Sequence, residues 1–70
     1  MTLDTVKVGR EYRVSSCDAP LKIRNKLETL GLVPGEHVSV LQSTGAGLII
    51  GVKDSRLALS HDLANCLIVS

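Results

Sequence analysis

The side chains of this chain best suited to chemistry are two cysteines, Cys17 and Cys66, and two histidines, His37 and His61, the second followed by Asp62. Nucleophilic catalysis needs a thiol or hydroxyl within hydrogen-bond reach of a base that a third group orients. These residues are scattered without a spacing of that kind. A phosphate cradle of the GxxxxGKS/T type is missing as well, because Gly45-Ala46-Gly47 is followed by Leu48 and leads into a strand. The chain is therefore expected not to be an enzyme and to hold no cofactor. Metal ions of intermediate hardness favour converging imidazole and carboxylate ligands. His37, His61 and Asp62 supply those types but no spacing that gathers them, so each His reads as a solvated surface residue. Cys17, His61 and Cys66 stand as weak candidates for a metal site.

Only the fold could bring such residues together. Ile23, Leu27 and Leu30 recur at i, i+4 and i+7, an inward stripe on an α-helix over about residues 20–30. Asp18 is placed to serve the helix start, and Pro20 suits its first turn. Gly31 can take the left-handed conformation that ends a helix, with Leu32 folding back on the last turn as in a Schellman cap. Pro34 and Gly35 turn the chain into the next segment. Lys22, Arg24, Asn25, Glu28 and Thr29 face outward, with Arg24 and Glu28 spaced for an i,i+4 ion pair. Leu21 also falls on the outward side, where it either packs locally or belongs to a contact surface.

The rest reads as strand. Residues 11–15 alternate polar and apolar, residues 16–19 read as a loop, and residues 37–43 alternate again with Val38 and Val40 inward. A flexible turn at residues 44–47 joins these to a strand over residues 48–52, and a polar turn at residues 53–55 leads to a strand over 56–59. Ser60 can cap a helical turn, residues 67–69 make a last strand, and Leu3 and Val6 are expected to lie on the sheet as an ordered arm. Short strands between turn signals favour a closed sheet. The fold expected is mainly β: a small SH3-like barrel of about five strands with one inserted α-helix (about 20–30) and a short helical turn near 61–65, one domain over residues 1–70. If its first and last strands pair antiparallel, Cys17 and Cys66 become neighbours. Reduced thiols are the default for them, with a facultative disulfide or a metal site as alternatives.

Composition narrows the function further. Eight Lys and Arg stand against seven Asp and Glu, a balance that disfavours binding nucleic acid through phosphates. One aromatic, Tyr12, leaves neither a proline-peptide groove nor a base-stacking platform. Asp4, Lys7 and Arg10 interrupt any signal-peptide core, and no apolar run approaches about 18 residues, so a cytoplasmic protein without membrane insertion is expected.

The block Leu27-Glu28-Thr29-Leu30-Gly31-Leu32-Val33-Pro34-Gly35-Glu36-His37-Val38 resembles the helix–cap–strand signature of the FeoA family, and residues 47–59 and 63–69 resemble its second half. The resemblance covers essentially the whole chain. It departs in the turn before the third strand, where many members carry Asp-Pro and this chain has Thr44-Gly45-Ala46-Gly47. It implies an SH3-like barrel and an accessory role in bacterial ferrous iron uptake, binding and modulating the membrane GTPase transporter FeoB. The same small fold is appended to iron-dependent repressors, a dimerisation or effector role that 70 residues would leave without a DNA-reading module. A metal carrier or sensor using Cys17, Cys66 and His61 is another alternative. The contact surface expected is the helix and its cap, Leu21, Arg24, Glu28, Leu32 and Val33, with the turn from Gly45 to Leu48 as second choice, since these are the parts a barrel least requires. An open strand edge would also allow a homo-oligomer.

Overall fold

The period-two segments do become strands. The computed structural model describes residues 1–70, with β1 (Glu11–Cys17), α1 (Leu21–Thr29), β2 (His37–Thr44), β3 (Gly47–Val52), β4 (Ser55–Leu59), α2 (His61–Asn65) and β5 (Leu67–Val69) following a 3-10 turn at Leu3–Thr5. All strand pairs are antiparallel, in the order β4-β3-β2-β1-β5. The register slips once between Val14 and Ser16 and once between Val40 and Gln42. Such bulges bend a strand and strengthen its twist, which curls five short strands around one core.

That core is aliphatic throughout. Thirteen apolar side chains are buried, among them Leu3, Val14, Leu27, Leu32, Ile50, Leu59 and Leu67, together with Gly47 and with no buried polar or charged residue beside them. Tyr12 is half-buried, and its hydroxyl accepts the Lys7 N–H at 3.1 Å. The hydrogen-bonded sheet does not close on itself: β4 and β5 are its two edges. α2 spans from one to the other and lies against the N-terminal turn, β3 and β5. The N-terminal arm does settle on the sheet, as expected. Leu3 is fully buried, and Met1 accepts the Val69 N–H at 2.8 Å, which covers the β5 edge.

Three local expectations need correction. Ser16 and Cys17 belong to β1 rather than to a loop; the bulge at Ser15 breaks the alternation without ending the strand. Asp18 does not cap α1. Pro20 is the N-cap, without a side-chain hydrogen bond, and Asp18 instead gives its backbone N–H to Cys66 at 2.7 Å. Leu30 is 38% exposed rather than inward, because α1 ends at Thr29 and Leu30 is already its C-cap. Gly31 at φ +95 then turns the chain. The Gly31 N–H reaches Glu28 at 2.9 Å and the Leu32 N–H reaches Leu27 at 3.0 Å, the paired bonds of a Schellman motif. Leu32, 1% exposed, takes the inner position that the stripe had assigned to Leu30.

Candidate interaction surface

α1 is held to the sheet by few side chains. Within it Leu27 is buried and Ile23 half-buried; every other residue from Leu21 to Thr29 is exposed. Leu21 is 62% exposed at the first turn, and Leu30 stands open at the other end. Between them Lys22, Arg24, Lys26 and Glu28 face solvent. The expected Arg24–Glu28 ion pair does not form: the chain's ion pairs are His37–Glu11 at 3.5 Å and Lys53–Glu36 at 3.9 Å, both away from α1. The helix thus presents three cations and one anion without a partner inside the chain.

A groove of about 260 Å³ runs where α1 meets β1. Arg24 and Glu28 form its helix side, Ser16 and Cys17 its strand side, and Leu32 and Pro34 its end. Arg24 and Glu28 therefore fall together on one concavity. Val33 is half-buried beside it. Leu32 must be withdrawn as a surface contact, since the Schellman turn buries it. The residues that sequence reasoning missed are Ser16, Cys17 and Pro34 as lining and Leu30 as an exposed apolar flank. The signals that could have found them are the bulge, which alternation does not reveal, and the shift of the inner position from Leu30 to Leu32.

The second-choice turn is less free than its glycines suggested. The Thr44 hydroxyl accepts the Ala46 N–H at 3.2 Å and donates to the Gly47 carbonyl at 3.2 Å. His61 Nε2 donates to the Thr44 carbonyl at 2.7 Å. Gly47 and Leu48 are buried, which leaves Gly45 and Ala46 as its exposed part. A second, mostly apolar concavity of about 180 Å³ lies behind it, beside Ala58 and Leu59.

The metal candidates Cys17, His61 and Cys66 are not all brought together. His61 opens α2 and is tied to Thr44, whereas Cys66 follows the helix at its other end and donates its thiol to the Asp62 carbonyl at 3.4 Å. No group of three or more His, Cys, Asp or Glu side chains is placed to hold a metal ion. Neither histidine is hydrogen-bonded to a thiol or hydroxyl; His37 faces Glu11 and His61 a main-chain carbonyl. Cys17 and Cys66 do become neighbours, as antiparallel pairing of β1 and β5 required. Cys17 sits opposite Leu67, both cysteines are half-buried, and both are free thiols. Burial first, then the adjacent Cys66, pushes the Cys17 thiol above its ordinary value; Arg24 pulls against this, and Asp18 and Glu28 add to it.

The family described as FeoA domain matches residues 1–70. Among solved structures, an iron uptake regulatory protein (FeoA) is 32% identical, with a TM-score of 0.90 over 99% of this chain and 92% of that one. Stenotrophomonas maltophilia FeoA complexed with zinc, described as a prokaryotic SH3 domain protein, is 29% identical over 100% of this chain and 89% of that one, with a TM-score of 0.88. Iron(II) transport protein A from Clostridium thermocellum shares the fold at a TM-score of 0.91 and 22% identity; the match covers 99% of this chain and 44% of that one. No curated protein matches. No helix is long and apolar enough to cross a membrane.

Proposed function

The chain belongs to the FeoA family, and on that premise we propose that it is a cytoplasmic accessory protein of bacterial ferrous iron uptake. In this reading it docks on the cytosolic part of the membrane GTPase transporter, FeoB, and modulates its nucleotide turnover or assembly. The docking surface is the outer face of α1 with the adjoining groove: Leu21, Arg24, Glu28 and Val33, joined by Leu30.

One observation carries the assignment of the surface. The longest helix of the domain buries a single residue fully and leaves all its charges unpaired, flanked by two exposed leucines. Unpaired surface charges contribute little to stability, but they steer encounter and set register at an interface. The net positive α1 face suits an acidic patch on the partner, and Leu21 and Leu30 supply apolar anchors at its two ends.

The test is binding of the transporter's soluble G domain to the wild type and to a Leu21→Glu/Arg24→Glu double variant. The expected result is at least about tenfold weaker binding, a loss of about 1.4 kcal/mol. Equal binding by the two proteins would remove α1 from the interface.

A further inference from the structure

The docking role leaves unused the two thiols at the groove's strand side. Cys17 lines the groove, and Cys66 lies one rung away, because Cys17 pairs with Leu67 and the Asp18 N–H donates to the Cys66 carbonyl at 2.7 Å. Standard bond lengths around that hydrogen bond hold the two Cα atoms within about 7.5 Å of each other, and disulfides bridge Cα atoms about 4.4–6.8 Å apart. Both sulfurs are half-buried and free. The Cys66 thiol is engaged only by a weak bond to the Asp62 carbonyl at 3.4 Å, so little opposes its rotation toward Cys17. Electrostatic sensitivity of the Cys17 thiol to Cys66 agrees with their closeness.

We propose that Cys17 and Cys66 form a reversible disulfide that reshapes the groove between α1 and β1. The oxidant is a low-molecular-weight disulfide such as glutathione disulfide. The Cys66 thiolate attacks one of its sulfurs and expels one glutathione thiolate, which takes up a proton. The Cys17 thiolate then attacks the Cys66 sulfur of the mixed disulfide, the protein disulfide forms, and the second glutathione leaves. Two protein thiols are oxidised, and one glutathione disulfide is reduced to two thiols. Drawing the Cys17 sulfur toward Cys66 withdraws it from the lining beside Arg24 and Glu28. The bond also ties the end of β1 to the start of β5. Its effect on a partner rests on the docking role proposed above; its formation does not.

The full chain, reduced and then equilibrated anaerobically in mixtures of glutathione and glutathione disulfide, tests this by thiol alkylation and mass spectrometry. The expected product is lighter than the dithiol by two hydrogens, takes up no alkylating reagent and returns to the dithiol with dithiothreitol. It melts about 20 °C higher, as a bridge across a long loop predicts. Cys17→Ser and Cys66→Ser each stop at one glutathione adduct and show no such rise. Amide resonances of Arg24 and Glu28 shift between the wild-type dithiol and disulfide forms. Two alkylatable thiols, or two bound glutathiones, at every mixing ratio would overturn the pairing. A disulfide that leaves the Arg24 and Glu28 resonances unmoved would overturn its action on the groove.

Discussion

α2 has five residues and α1 has nine, yet the shorter helix is the better anchored. Ser60 caps α2 by accepting the Leu63 N–H at 3.3 Å, Ala64 is fully buried, and the helix lies against the N-terminal turn, β3 and β5. α1 has no side-chain cap at its start, and Leu27 is its one fully buried residue. Its firm end is the Schellman turn, which drives Leu32 into the core just beyond the helix. Isolated helices of either length would be marginal in water, so each exists because the sheet holds it. They differ in what they give back. α2 carries the chain from β4 to β5, the two sheet edges, and places Ala64 in the core. α1 returns little to the fold beyond Leu27, part of Ile23 and its cap, which leaves its outer face available to another protein.

The largest effect should come from the mounting of α2. Gly47 opens β3, buried, at φ +153, and a Cβ there would collide with the Leu59 carbonyl oxygen and lie 3.2 Å from the Ser60 Cα. Backbone atoms of the segment entering α2 cannot swing aside as a side-chain tip would. Strain and overpacking together put Gly47→Ala at about 4 kcal/mol, a fall in melting temperature of about 20 °C. An unchanged melting curve would show that the α2 end is not the rigid one. Leu27→Ala should cost about 3 kcal/mol, since it empties a fully buried leucine site. Hydrogen exchange sharpens the contrast: amides of α1 should accelerate more than those of α2. Uniform acceleration would mean that both helices belong to one cooperative unit.

These same elements show how far the residues alone carry the fold. Strand alternation, the helix, Gly31 with Leu32, and the Ser60 cap are all local patterns, and each formed where its pattern lay. Leu30 went wrong because helical periodicity assumes that the helix continues, whereas the cap ends it at Thr29 and passes the inner position to Leu32. The β1 boundary went wrong because a bulge shifts the side-chain phase by one residue, which reads as the end of a strand. Of the candidate surface, Leu21, Arg24 and Glu28 were legible as an outward helix face. The groove was not, because Ser16, Cys17 and Pro34 join it only through pairing and turning that no local window contains. The uneven anchoring of the two helices was equally out of reach, since it depends on what lies against each.

A smaller effect separates the helix starts. Ser60→Ala removes the one side-chain cap on either helix and should cost about 1 kcal/mol, or about 6 °C of melting temperature. A helix held mainly by its packing keeps its shape through such a loss, so the far-ultraviolet dichroism should not change below the transition. Loss of helical signal at low temperature would place α2's hold in its cap and narrow the contrast with α1.

The smallest effect on stability is the most telling for α1. Leu21 is 62% exposed and Arg24 has no ion pair, so Leu21→Glu/Arg24→Glu removes almost no buried area and no internal partner. Its two new carboxylates lie at the start of α1, where the helix dipole favours negative charge. The melting temperature should therefore stay within about 3 °C of wild type, with any change upward. If the variant melts lower by 10 °C or so, the outer face of α1 is part of what holds the domain together, and weaker binding by the same variant would report unfolding rather than a lost contact. Unchanged melting together with weakened binding can arise only if the fold leaves that face unused and a partner uses it.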